Sequence, residues 1–220
     1  MVKQLEMIIF DLDGTLWETT DLTYKSANEI MKKHNISHKI TRETIENTMG
    51  CTFTEAAKNY MPNLDENTRI TLMREINALN SKNLSEEGGK LYPNLEKVLA
   101  ELKKNYKLAI VSNCGEGYIE AFLESSGLEK YFDDFLAASK AKLPKGEAIK
   151  KVMQRNNITN AIYVGDTLKD YEASKIAGIE FIHARYGFGK EIDCKFFINA
   201  IDELLELFGK PVGEPFGDRF

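Results

Sequence analysis

Two carboxylates that follow a short apolar run are the first residues of this chain whose spacing could do chemistry. The run covers residues 7–10 (MIIF), and Asp11 and Asp13 come directly after it. Four apolar residues in succession predict a strand that is buried on both faces. Residues two apart on a strand share a face, so both carboxylates can point into one crevice. An oxygen-rich pair of this kind suits Mg²⁺, and an Asp-rich turn at the end of a core strand is the alternative.

The composition is that of an ordinary globular protein, with 220 residues, 43% of them hydrophobic and 29% charged. The formal net charge of −5 argues against non-specific binding to nucleic acid or to an anionic membrane surface. No apolar run is long enough for a signal peptide or a membrane span. Three dispersed cysteines without metal-binding spacing (Cys51, Cys114 and Cys194) favour a reducing cytoplasm. We therefore expect a small-molecule partner, and the sequence gives no indication of oligomeric state.

The order of sequence patterns predicts two units. Residues 17–89 show helical spacing and no convincing strand, and from Lys90 strands alternate with helices. Repeated strand–helix units imply a mostly parallel sheet with helices on both faces. The predicted strands after the first are residues 107–111, 134–138, 161–164, 179–184 and 195–198. The helical block then reads as an insertion, so we expect one domain from residues 1–16 and 90–220 and a second from residues 17–89, with Gly88 and Gly89 at a hinge.

Other polar signals fall where further predicted strands end. Ser112 and Asn113 end one strand, Asp166 ends another, and Lys145 precedes a helix in a basic loop. Ligands of open α/β sheets bind beyond the carboxyl ends of the strands. There, three carboxylates would suit Mg²⁺, while Ser112, a helix N-terminus and Lys145 would suit a phosphate.

In order and spacing, these signals resemble the four motifs of the haloacid dehalogenase superfamily. Residues 11–16 (DLDGTL) match the first motif, Ser112-Asn113 the second, Lys145 the third and residues 165–170 (GDTLKD) the fourth. The resemblance covers essentially the whole chain and is to the phosphatase branch with a helical, C1-type cap after the first motif. It implies an α/β fold, with a Rossmann-like, mostly parallel sheet sandwiched by helices and an inserted all-helical cap domain.

The resemblance also implies roles. Asp11 would be the nucleophile that forms an aspartyl-phosphate, and Asp13 the general acid and base, oriented by Thr15. The magnesium set would be Asp11, Asp13 through its main-chain carbonyl, and Asp166.

The remaining positions of the motifs would hold the phosphate. Ser112 and backbone N–H groups near Asn113 would bind its oxygens beside Gly14 and Thr15, and Lys145 would stabilise the developing charge. Alternatives stay open at several positions. Ser112-Asn113 could be a loop cap, Lys140 or Lys142 could be the true ligand, and Asp170 could act in support of the site or only as a first-turn helix acid.

The expected function is Mg²⁺-dependent hydrolysis of a small phosphomonoester, such as a phosphoglycolate-like compound, a nucleotide or a sugar phosphate. A second acid at Asp13 points to phosphoryl chemistry, and Gly14-Thr15 favours a phosphatase over a sugar-phosphate mutase of the β-phosphoglucomutase type. A non-catalytic phospho-ligand binding protein is a further alternative. By the family pattern, the cap residues that would face the crevice are Trp17, Glu18, Gly50, Thr52 and Phe53. Trp17 and Phe53 could equally pack the cap, and residues 185–189 are interpreted as a structural loop.

Overall fold

The structure is a computed structural model that describes residues 4–209. Its strands are β1 (Met7–Phe10), β2 (Trp17–Glu18), β3 (Lys90–Leu91), β4 (Lys107–Ser112), β5 (Asp134–Ala137), β6 (Ala161–Gly165), β7 (Glu180–Ala184) and β8 (Phe196–Ile198). Its α-helices are α1 (Thr20–Lys33), α2 (Arg42–Glu46), α3 (Phe53–Tyr60), α4 (Glu66–Glu87), α5 (Leu95–Leu102), α6 (Tyr118–Ser126), α7 (Ala138–Ala141), α8 (Lys145–Arg155), α9 (Leu168–Ala177) and α10 (Glu203–Phe208).

Six strands form one parallel sheet in the order β5-β4-β1-β6-β7-β8. Strand β1 lies inside the sheet, between β4 and β6, and Phe10 at its end is level with Ile110 and Val164. This register sets the residues that follow β1 and β6 beside the end of β4. The predicted α/β fold, with a mostly parallel sheet between helices, is confirmed.

Both faces of the sheet are covered, which explains why β1 is apolar throughout. Ile8 and Phe10 belong to an apolar cluster with α5, α6 and α10. Met7 and Ile9 belong to a second cluster, with α8 and α9 on the opposite face. Alternate side chains of a strand point to opposite faces, so a central strand between two helix layers must be hydrophobic at every position.

Helices α1 to α4 enclose a third apolar cluster, which includes Ala27, Ile45 and Ile76. Trp17 and Leu84, near the two ends of this segment, pack instead with the cluster beneath α5 and α6. The prediction of no strand in residues 17–89 is wrong at β2, which pairs antiparallel with β3 through Trp17 and Leu91. A two-residue strand shows no periodicity, so the sequence carries no signal for it.

The helix ends follow local backbone signals. Helix α6 ends at Gly127, which adopts a left-handed conformation with φ 68°. Helix α5 begins only at Leu95, because Asn94 before it is also left-handed, with φ 64°. The sequence of residues 209–215 (GKPVGEP) predicts a loosely ordered tail, which lies, apart from Gly209, outside the described residues.

Within residues 4–209, helices with the length and apolar character of a membrane span are absent.

Candidate active site

Buried polar side chains gather at the carboxyl edge of the sheet, around the end of β1. Asp11 follows β1, Ser112 ends β4 and Asp166 follows β6, and all three are buried. The backbone N–H of Asp11 donates to the Val164 carbonyl at 2.8 Å, which continues the β1–β6 pairing past the end of β1. The parallel register therefore brings together residues that are far apart in the sequence.

Lys145, the first residue of α8, is the amine of this cluster. Its Nζ donates to Asp11 Oδ1 at 2.6 Å and also to Asp170 Oδ1, and only 4% of its side chain is exposed. Lys140, which the sequence left as an alternative, forms ion pairs with Glu116 and with Glu120 at the surface. A buried ammonium between two carboxylates is positioned to balance charge at Asp11.

Asp170 joins the helix cap of α9 to the cluster. Its Oδ2 accepts from the backbone N–H of Thr167 at 2.9 Å and from the Thr167 hydroxyl at 2.6 Å, as part of a capping box. Its Oδ1 accepts from Lys145. One carboxylate therefore caps α9 through Thr167 and also contacts Lys145.

Asp166 is held on one side by the loop 185–189. Its Oδ2 accepts from the backbone N–H groups of Phe188 at 2.7 Å and Gly189 at 3.3 Å. Its Oδ1 is buried and has no hydrogen-bond partner among residues 4–209. Gly14 lies against this carboxylate with φ 80°, and a Cβ there would overlap Asp166 Oδ2. The first motif thus needs glycine both for its turn and for close approach to Asp166.

The carboxylates fit a hard divalent cation. One oxygen each from Asp11, Asp166 and Asp170 lies within 4.8 Å of the others. Burial raises the pKa of Asp11 to about 7, opposed by Lys145, and the Asp170 charge raises it further. Burial, followed by the charges of Asp170 and Asp11, raises the pKa of Asp166 well above its ordinary value. An all-oxygen set with one unpartnered oxygen, at Asp166 Oδ1, is what Mg²⁺ prefers.

Asp13 faces a different set of partners. Its Oδ1 accepts from Trp17 Nε1 at 2.9 Å, Thr19 Oγ1 at 3.1 Å and Tyr118 OH at 2.8 Å. Burial raises the pKa of Asp13 to about 6, although the three donors favour the charged form. This carboxylate is therefore held through Oδ1 by its own hydrogen-bond partners.

Sequence reasoning missed two of the residues that hold Asp13. Thr15, which the resemblance assigns to this task, has a buried hydroxyl without a hydrogen-bond partner in the described part of the chain. Thr19 and Tyr118 do contact Asp13. Their one sequence signal is that each follows a motif within a few residues, close to the carboxyl edge of the sheet.

The helical segment reaches this edge through two polar contacts. Asn113 Nδ2 donates to the Gly50 carbonyl at 3.0 Å, and Lys169 Nζ donates to Glu55 Oε2 at 2.5 Å. Beside them is a cavity of about 360 Å³, whose lining includes Lys145. Residues 50–55, at the start of α3, therefore lie over the ends of β4 and β6.

The cap residues expected to face the crevice have different surroundings. Thr52 and Phe53 line the cavity beside Lys145, and Thr52 is also the N-cap of α3. Trp17 is fully buried against the rings of Tyr118 and Phe122, so it packs the interior while its Nε1 reaches Asp13.

Comparisons with known proteins identify the family of the chain. The sequence profile of the haloacid dehalogenase-like hydrolases matches residues 8–184. The pyrophosphatase PpaX of Listeria innocua is 31% identical over 182 residues, which are 80% of this chain and 82% of that protein. The phosphoglycolate phosphatase of Vibrio parahaemolyticus is 27% identical over 93% of this chain and 96% of its own.

Solved structures share the fold. The crystal structure of a predicted phosphatase from Clostridium acetobutylicum superposes with a TM-score of 0.80 at 23% identity, covering 93% of this chain and 98% of that one. The profile match spans all four motifs, and the relatives extend over most of the chain. The chain therefore belongs to the haloacid dehalogenase-like hydrolases and is a phosphoric ester hydrolase of that family.

Proposed function

We propose that this protein is a Mg²⁺-dependent phosphatase that hydrolyses a small phosphomonoester through an aspartyl-phosphate on Asp11. The observation that carries the proposal is the buried pair of Asp11 and Lys145, with Asp13 two residues further along the chain. A carboxylate at the end of a central strand is a nucleophile of fixed position, and Lys145 beside it supplies positive charge for a phosphoryl group.

Hydrolysis proceeds in two displacements. In the first, an oxygen of Asp11 attacks phosphorus, the bond from phosphorus to the ester oxygen breaks, and Asp13 gives that oxygen a proton. In the second, Asp13 takes a proton from water, the water oxygen attacks the phosphorus, and the bond from phosphorus to Asp11 breaks. Inorganic phosphate leaves, and both carboxylates return to their initial states.

The surrounding residues bind and balance charge. Ser112, Gly14, Thr15 and backbone N–H groups near Asn113 hold the phosphate oxygens, and Lys145 offsets the charge that develops on them. Asp11, Asp166 and the main-chain carbonyl of Asp13 would hold Mg²⁺, which would supply further neutralisation of the phosphate charge. The unpartnered Asp166 Oδ1 supports this assignment.

We assign substrate selection to residues 17–89, acting as a cap domain over a core of residues 1–16 and 90–220. The separate apolar cluster of α1 to α4 supports this division. The contacts from Asn113 to Gly50 and from Lys169 to Glu55 draw residues 50–55 over the sheet edge, which favours a small substrate that closure can enclose. The names of the relatives add phosphoglycolate and pyrophosphate to the compounds worth testing.

The test is phosphate release by the full chain, with Mg²⁺ and with EDTA, from phosphoglycolate, nucleotides, sugar phosphates and pyrophosphate. We expect Mg²⁺-dependent release from at least one compound, and acid quenching should trap labelled phosphate on the protein. Asp11→Asn should abolish both signals without lowering the melting temperature, whereas the surface variant Asp202→Asn should keep them. A mutase would move the phosphate to a second sugar position instead of releasing it. No turnover of any compound would refute the proposal.

A further inference from the structure

Tyr118 belongs to none of the four motifs, yet its hydroxyl donates to Asp13 Oδ1 at 2.8 Å. It is the first residue of α6 and is buried, with its ring edge-on to the Trp17 indole at 5.6 Å. We propose that Tyr118 is a positioning residue that fixes the carboxylate of Asp13 for proton transfer to the leaving oxygen. This proposal rests on the proposed function, since it assigns Asp13 the role of general acid.

The hydrogen bonds that Asp13 accepts from these residues all fall on one oxygen of its carboxylate. Trp17, Thr19 and Tyr118 all donate to the same oxygen, Oδ1. The terminal torsion of an aspartate is broad, so a carboxylate without such contacts rotates over a wide range. Three donors on Oδ1 restrict that rotation and define where Oδ2 points. Hydrogen bonds from residues 4–209 converge on Oδ1, so Oδ2 is the oxygen that carries the proton for transfer.

The two hydroxyl groups in this cluster act together. Thr19 Oγ1 and Tyr118 OH lie 2.9 Å apart, and each also lies within hydrogen-bond distance of Asp13 Oδ1. Three oxygen–oxygen contacts thus share two hydroxyl protons, because each hydroxyl carries one. If one hydroxyl is removed, the other turns its proton fully to Asp13. The effects of changing Thr19 and Tyr118 are therefore expected to be non-additive.

The packing of the Tyr118 ring does not depend on its hydroxyl group, so the hydroxyl can be removed by itself. Its ring packs beside the Trp17 indole, and the ring centroids of Trp17 and Phe122 are 5.0 Å apart. Tyr118→Phe keeps this ring packing and removes only the hydroxyl. A matched control is Tyr131→Phe, because the Tyr131 hydroxyl bonds Glu96 at the surface, away from the sheet edge.

The test compares two leaving groups. Alkyl phosphates need a proton on the departing oxygen, whereas p-nitrophenyl phosphate releases a stable anion. The first displacement is followed alone, as release of the leaving group in a single turnover, because Asp13 also serves as the base of the second displacement for both compounds. Since positioned proton transfer contributes roughly 10²–10⁴-fold, we expect Tyr118→Phe to lower this single-turnover rate on an alkyl phosphate by at least about 10-fold, with KM nearly unchanged. On p-nitrophenyl phosphate the single-turnover rate should change by less than about 2-fold, because the acid contributes little there. Tyr131→Phe should match the wild type on both compounds.

Equal losses on the two compounds, or a change confined to KM, would overturn the role of Tyr118 while leaving the proposed function intact. No hydrolysis by the wild type would overturn both. Thr19→Val is the second variant, in case Tyr118→Phe does not fold. It should show the same dependence on the leaving group, because it too removes one of the hydroxyl donors to Asp13 Oδ1, and equal losses there would equally overturn the inference.

Discussion

The carboxylate of Asp13 should destabilise the metal-free protein at neutral pH. Its pKa rises from 3.8 to about 6, first because of burial. An acid with a raised pKa in the folded state binds its proton more tightly there than in the unfolded chain. Between these two values the native state holds more protons, so the free energy of unfolding falls as the pH rises. Asp13→Asn, which is isosteric and cannot ionise, removes this dependence.

The magnitude follows from the two pKa values. With about 1.4 kcal/mol for each unit of pKa shift, the ionisation of Asp13 costs about 1 kcal/mol near pH 4.5 and about 3 kcal/mol near pH 7.5. Asp13→Asn should therefore gain about 2 kcal/mol more stability at the higher pH than at the lower one. In a chain of this size, the full gain raises the melting temperature by roughly 6–12 °C.

The assay is urea unfolding of the wild type and of Asp13→Asn in EDTA, monitored by circular dichroism at the two pH values given above. The difference between the two pH values is the quantity to compare, because any constant effect of the amide cancels. Asp202→Asn, which replaces an exposed carboxylate before α10, is the control for the substitution itself. A flat difference for Asp13→Asn, or one of opposite sign, would refute the idea that burial opposes ionisation of Asp13.

Two further substitutions test the charge balance and the first motif. Lys145→Ala leaves Asp11 buried without its cation, so the free energy of unfolding at pH 7 should fall by about 3–5 kcal/mol in urea titrations, and unchanged stability would contradict the ion pair. Gly14→Ala forces a Cβ into Asp166 Oδ2, so the Mg²⁺ concentration for half-maximal activity should rise at least about 10-fold. Gly117→Ala is the control, because Gly117 also has a positive φ but a Cβ there meets open space. An equal loss of Mg²⁺ affinity in that variant would show that backbone strain, and not contact with Asp166, causes the effect.

The main sheet could be predicted because its signals are local and strong. The apolar residues of β1 need no partner to be recognised, and Gly127 marks the end of α6 by its own backbone preference. The strands β2 and β3 could not be predicted, because each has two residues and exists only through pairing with a segment far along the chain.

The residues of the candidate site likewise fall into those that the sequence predicts and those that only the folded structure shows. Asp11, Lys145 and Asp166 stand at predicted strand ends or helix starts, so the parallel topology alone brings them together. The donors to Asp13 depend on where side chains point across the packed interior. No spacing rule relates Tyr118 to Asp13, and the link appears only once α6 is seen against β1.

The pairing of β2 with β3 limits how residues 17–89 can move. These two strands are the places where the chain enters and leaves the helical segment, and Gly89 lies so close to the Trp17 indole that a Cβ would overlap it. Two separate tethers would allow the segment to twist, slide and tilt. A paired ribbon leaves bending as its easiest motion, so each approach to the sheet edge starts in nearly the right orientation. For the proposed closure on a substrate, less orientational entropy would then be lost.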